Sequence, residues 1–171
     1  DSLISHALGQ INEDTYTNSK EAFLNSYNNG LRTFEVDLQL TSDQKVVLSY
    51  YWEKNFNNKI PTEEEFLNAK IKGKYTPLSF KDLLHIVNDY PDIWIITDSK
   101  YIDKENISTE FVEMKNTAIQ ENLHKVFDKF IIQIYNEEML SIIKSIYPFE
   151  NIIFTLYTRW NGDLQEFEEI C

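Results

Sequence analysis

The run Ile93-Trp94-Ile95-Ile96-Thr97 is apolar at odd and even positions alike. A strand with that pattern has to be covered on both faces, which is the condition of a parallel sheet with side chains packed inside and helices outside. A one-sided antiparallel sheet would show alternation instead. The neighbouring segments agree, because strand-like and helix-like stretches take turns along the chain. Leu3 to His6 reads as a short strand, and Asn18 or Ser19 can cap a helix that runs through Ala22, Phe23, Ser26 and Tyr27 to a stop at Gly30. Thr33 to Leu40 is the next strand. Beyond the apolar run come a helical pattern at Thr109 to Leu123, a strand at Phe130 to Tyr135 and a helix at Glu137 to Ser145. A strand at Ile152 to Tyr157 and a helical tail at Asp163 to Ile170 complete the pattern.

One connection breaks the alternation. Thr41 to Lys45 is too short to carry the crossover that parallel neighbours need, so Val46 to Tyr51 is expected to fold back antiparallel on Thr33 to Leu40. Thr62 with Glu65, and Ser79 with Asp82, have capping-box spacing and predict a short helix after Thr62 and another over Phe80 to Asn88. With the hairpin strand set aside, five parallel strands remain, as in an α/β barrel or a doubly wound sheet. No glycine-rich loop follows the first strand, which disfavours the dinucleotide-binding form. The expected class is therefore α/β, an incomplete (β/α) barrel with a β-hairpin, in one domain spanning residues 1–171.

Charge narrows the partners. A net charge of -12 and a pI near 4.6 repel polyanions, so a nucleic-acid partner is not expected, and an anionic substrate needs a cation or a few placed basic groups. Glu63-Glu64-Glu65 fits the first turn of a helix better than a ligand site. The one cysteine, Cys171, has neither a disulfide partner nor a metal-binding neighbour.

Alternation along the strand puts Glu35 and Asp37 side by side on one face. An outward, solvated pair satisfies that spacing. An inward pair requires a counter-charge, such as a hard cation with oxygen ligands. Asp98, next to the apolar strand, shifts the balance inward, with Lys100 two residues on along the same side and His6 at the end of the first strand. Polar groups at successive strand ends of a parallel barrel converge on one rim, where active sites of this architecture lie.

The ordered segments Ile4-Ser5-His6-Ala7, Tyr16 to Phe23, Phe34 to Asp43 and Thr97-Asp98-Ser99-Lys100 together resemble the glycerophosphodiester phosphodiesterase family of the phospholipase-C-like barrel superfamily. The resemblance implies a catalytic acid/base at His6, metal ligands at Glu35, Asp37 and Asp98 for Mg²⁺ or Ca²⁺, and phosphate binding by Lys100. It also implies a supporting Asn18 near His6, with Tyr51 and Gln133 as further supporting or substrate-binding residues. The expected substrate is a small or lipid-derived phosphodiester. A related chemistry, internal attack yielding a cyclic phosphate, occurs in the resembling lipases.

Two positions depart from the family pattern. Ala7 stands where most members have an arginine that can grip phosphate at two points. Tyr50-Tyr51 stands where the hairpin strand usually ends in His-Asp, so Tyr50 replaces the second proton-transfer histidine. A phenol with an ordinary pKa near 10 is a poor base at neutral pH. The expectations are therefore an impaired hydrolase or, alternatively, a catalytically silent module that binds a phosphodiester or a protein.

A full barrel takes roughly 200 residues or more. About three strand-helix units are then missing, and the open edges predict either a longer chain or self-association. The start at a polar Asp1 leaves location open, an extracytoplasmic or membrane-anchored bacterial protein whose leading segment was removed being one reading. Tyr75, Tyr90, Tyr101, Trp52, Trp94 and Trp160 are read as packing residues, and His85 and His124 as incidental. The Asn106-Ile107-Ser108 sequon is given no weight.

Overall fold

The structure, a computed structural model, describes residues 4–52, 56 and 59–155. The expected ends of the last strand at Leu156 and Tyr157, the helical tail, Trp160 and Cys171 lie outside the described residues.

Five strands run parallel in the order β1 (Ile4–Ser5), β2 (Thr33–Leu40), β4 (Trp94–Ser99), β5 (Phe130–Ile134) and β6 (Asn151–Phe154), and β3 (Val46–Leu48) pairs antiparallel with β2. The short Thr41–Lys45 turn makes the hairpin, as its length requires. β1 pairs with the start of β2 at Thr33 and Phe34, and β3 with its end at Leu38 to Leu40, so both share one edge of β2. Helices α1 (Lys20–Asn28), α2 (Glu63–Asn68), α3 (Phe80–Asp89), α4 (Lys104–Gln120) and α5 (Glu137–Ile146) fill the connections.

Local chemistry sets the helix starts. The Ser19 hydroxyl accepts from the Ala22 amide at the head of α1, and both predicted capping boxes form, Thr62 with Glu65 and Ser79 with Asp82. The three consecutive glutamates lie in the first turn of α2. The predicted start of α4 needs correction: Asp103 accepts from the Asn106 amide and begins the helix well before Thr109. A polar first turn hid that start. Among the described residues Gly9 is the one glycine that packing demands, since φ is +110° and an added Cβ would stand 1.9 Å from the Ser26 hydroxyl.

The two faces of the sheet differ. Phe34, Val36, Leu38, Ile95, Phe130, Ile132 and Ile134 point outward into one continuous core. They meet Ala22, Phe23, Leu83, Leu84, Ile107, Phe111, Met139 and Ile143 from the helices. The intervening residues, Glu35, Asp37, Gln39, Asp98 and Gln133, line the inner face. Tyr90 and Tyr101 pack against the core, Tyr75 is buried, and Trp52 packs edge-on against Phe66, in keeping with the packing roles read for them. No described helix is long and apolar enough to cross a membrane.

Candidate metal and phosphate site

Asp37 and Asp98 are directly paired residues across the β2–β4 ladder. Glu35 lies two residues before Asp37 on the same face, and each of the three carboxylates offers an oxygen within 4.8 Å of the others. The pair Glu35–Asp37 was expected at a strand end. It sits instead in the middle of β2, because that strand runs past the rim to form the hairpin. Asp98 likewise belongs to β4 rather than following it.

The side chains around the carboxylates are positioned by backbone. After β1 the chain turns sharply through left-handed conformations at Ala7 (φ 49°) and Leu8 (φ 63°), which aims the Ala7 amide at Glu35 Oε2, 2.8 Å away. The same turn carries His6, whose Nδ1 lies 3.3 Å from Glu35 Oε2 while its ring is 76% exposed. Asn18, also left-handed (φ 47°), is fully buried; its amide donates to Asp37 Oδ2 at 2.8 Å and its oxygen accepts from the Asp37 N–H at 3.1 Å. Asn18 was expected in a supporting position near His6; its N–H donates to the Ala7 carbonyl at 3.2 Å, and its side chain grips Asp37.

Lys100 joins the two strands electrostatically. Its ammonium lies 2.5 Å from Asp37 Oδ1 and 2.6 Å from Asp98 Oδ2. Burial works against that charge, but Asp37 and Asp98 outweigh it and hold Lys100 above the ordinary lysine range. Burial, with the Asp37 charge adding, pushes Glu35 up to about 7 despite the Ala7 hydrogen bond. Asp98 is also raised by burial, with Lys100 opposing. Three carboxylates against one ammonium leave an excess of negative charge in a partly buried pocket. A hard divalent cation fits that oxygen donor set.

Gln133 was expected at the site, whereas two further inner-face groups, Tyr135 and Gln39, were not. Tyr135 donates its hydroxyl hydrogen bond to Asp98 Oδ1, and Gln133 Nε2 donates to the Tyr135 hydroxyl at 2.7 Å and to Asp98 Oδ1 at 3.4 Å. Period-two spacing from Gln133 would have found Tyr135. Gln39 donates to the carbonyls of Ser49 and Tyr50, at 3.1 and 2.9 Å, and so fixes the backbone that presents Tyr50.

Tyr50 faces the site. Its ring centroid lies 4.7 Å from the Lys100 ammonium and 4.2 Å from the Tyr51 ring. A hydrogen bond with Tyr51 and that neighbour's charge raise the Tyr50 hydroxyl above its ordinary value, with burial adding to the effect. Tyr51 itself is more than half exposed at the rim. The remaining histidines lie elsewhere, His85 paired with Glu121 at 2.8 Å and His124 in a 3₁₀ turn. The sequon lies in the first turn of α4, where Asn106 binds Asp103.

No protein-family model and no curated protein matches the sequence. Solved structures do. A Galdieria sulphuraria protein described as a glycerophosphodiester phosphodiesterase superposes with a TM-score of 0.76 at 16% identity, over 98% of this chain and 70% of its own. A glycerophosphodiester phosphodiesterase from Parabacteroides distasonis gives 0.71 at 18% identity, over 98% and 68%. An Oleispira antarctica phosphodiesterase, solved in complex with the product sn-glycerol-3-phosphate, gives 0.65 at 15% identity, over 98% and 70%. Their shared fold is the one this chain adopts, and they carry the family name that its ordered motifs resemble.

Proposed function

We propose, from the fold shared with glycerophosphodiester phosphodiesterases, that this chain is a metal-dependent phosphoric diester hydrolase of that type whose turnover is weakened by Tyr50. The observation that carries the reading is the approach of Glu35, Asp37 and Asp98 within 4.8 Å, beside His6 and Lys100.

In this reading Glu35, Asp37 and Asp98 hold a Mg²⁺ or Ca²⁺ ion. When bound, the ion supplies Lewis-acid neutralisation of charge on phosphate oxygens. Lys100 turns its ammonium to the substrate phosphate and takes up the charge that develops there. His6, exposed on one side and oriented by Glu35 on the other, moves a proton at the reacting oxygen. Asn18 fixes the Asp37 carboxylate, while Gln133 and Tyr135 fix that of Asp98. The product seen in the Oleispira neighbour makes a glycerophosphodiester or a related small phosphodiester the substrate class to test first.

Tyr50 favours the second reading, a catalytically silent binding module, because a phenol held above its ordinary range stays protonated at neutral pH and offers no phenolate to act as a base. The test is Tyr50→His, assayed on glycerophosphodiesters with added Mg²⁺ or Ca²⁺. A gain of about 10²–10⁴-fold from near zero marks a silent parent. Robust hydrolysis before the substitution refutes silence, and no hydrolysis by either protein sinks the hydrolase reading. Identification of the product as open or cyclic phosphate separates direct hydrolysis from internal attack.

A further inference from the structure

Beside the carboxylates lies a cavity of about 240 Å³, with Tyr16, Tyr50 and Tyr51 at its rim and Leu48, Phe66 and Ile71 behind them. Two of the segments that wall it, those around residues 14–17 and 71–75, are tied together. Asp14, two residues from Tyr16, takes ion pairs from Lys72 at 3.0 Å and Lys74 at 2.7 Å, and a hydrogen bond from the buried Tyr75 hydroxyl at 2.8 Å. The cavity is therefore built into the fold rather than left between loose segments.

Tyr16 has the features of a ligand clamp. It adopts a left-handed backbone (φ 56°), which a bulky residue seldom does without a reason. Its side chain gains no core packing from that conformation, being 54% exposed, and stacks on Tyr50 at 4.8 Å with 28° between ring planes. Tyr50 in turn faces Lys100, so the aromatic rim adjoins the proposed phosphate position.

We infer that this cavity is the subsite for the alcohol portion of the phosphodiester, and that it takes an uncharged alcohol bearing a flat apolar ring. The inference rests on the hydrolase-type phosphate site proposed above. Occupancy argues against a cationic head group: the Lys100 ammonium already covers a face of the Tyr50 ring, and the Lys72 side chain lines the cavity with its ammonium held by Asp14. The apolar back wall and the two exposed tyrosine faces instead offer stacking to a neutral ring.

The test is calorimetric binding of three phosphate monoesters, phenyl phosphate, glycerol 3-phosphate and phosphocholine, to the whole chain in the presence of Mg²⁺. Phenyl phosphate is expected to bind about 10-fold tighter than glycerol 3-phosphate, as one good aromatic contact provides. Tyr16→Ala should abolish that preference and Tyr16→Phe should retain it, with circular dichroism verifying the fold of both variants. A phosphate-free probe separates the subsite from the phosphate reading: p-cresol titrated into ¹⁵N-labelled protein should shift the amides of residues 15–17 and 49–51. If p-cresol shifts those amides while no monoester binds, the subsite stands and the phosphate reading falls. Tightest binding by phosphocholine, equal binding of all three monoesters, or an unmoved cavity with p-cresol overturns the subsite.

Discussion

The two faces of one sheet have been put to different uses. The outer face is sealed: Phe34, Val36, Leu38, Ile95, Phe130 and Ile132 have no exposed area, and the helices behind them contribute mainly apolar side chains. The inner face carries Glu35, Asp37, Gln39, Asp98 and Gln133 at the intervening positions of the same strands. Stability therefore comes chiefly from one side of each strand, while the other concentrates like charges at a cost to stability. The difference shows how a short β-strand separates the two tasks through a period of two residues.

Each face also carries an exception to its rule. On the outer side, Glu110 of α4 is fully buried against the sheet, and neither of its oxygens has a hydrogen bond of normal geometry. Burial pushes it up to about 8, with the Ser99 hydroxyl and the Lys100 charge pulling the other way. On the inner side, Lys100 is a single cation among carboxylates. These two exceptions are where the division can be tested most sharply.

The largest effect is expected from an outer-face cavity. Phe130→Ala should lower unfolding stability by about 3–5 kcal/mol, read by denaturant titration, and a loss below 1 kcal/mol would show that the outer core is not what holds the sheet. Glu110 should give the next largest. Its folded pKa lies above the ordinary 4.5, so it adds nothing unfavourable below that pH. Stability then falls as pH rises from there through about 8, because the unfolded chain releases the proton first. Glu110→Gln should flatten that fall and gain on the order of 2 kcal/mol at pH 8 relative to pH 5, measured by the same titration.

Removing an inner-face carboxylate should have the opposite sign to an outer-face cavity. Without divalent metal, Glu35→Gln should stabilise the protein by about 1–2 kcal/mol near pH 8, since it relieves a buried charge next to Asp37. The same variant should lose the thermal upshift that saturating Mg²⁺ or Ca²⁺ gives the parent, worth about 2.7 kcal/mol at a hundredfold excess over Kd. A variant less stable than the parent in EDTA would mean that the inner face is not under charge strain. The smallest effect is expected away from both faces: Lys45→Ala removes a half-exposed ion pair with Glu113 and should change stability by less than about 1 kcal/mol.

Much of this was legible in the chain itself. The apolar run at Ile93 to Thr97 announced a strand covered on two sides, the five-residue turn forced the hairpin, and Ser19, Thr62 and Ser79 marked helix starts by side-chain chemistry. Glu35, Asp37, Asp98, Lys100 and His6 were singled out from spacing, and the fold brings them together. What spacing could not give was partnership across long separations. Asn18 was expected near His6, but spacing does not reveal that its side chain grips Asp37. Tyr16 lies within a matching motif, but nothing local reveals that its ring stacks on Tyr50. Glu110 did carry a signal, since it shares one helical stripe with Ile107, Phe111 and Met114. An acid in such a stripe is normally read as surface, and its burial depends on how closely α4 approaches the sheet.

The direct pairing of Asp37 with Asp98 across β2 and β4 has a consequence for how this chemistry could be lost. A slip of the ladder by a single residue would turn one of the two carboxyl groups to the opposite side of the sheet. In the metal-dependent reading proposed above, ion capture would require these two strands to zip correctly, and added calcium or magnesium should then act as a proofreader that rewards only the properly aligned hairpin-bearing strand.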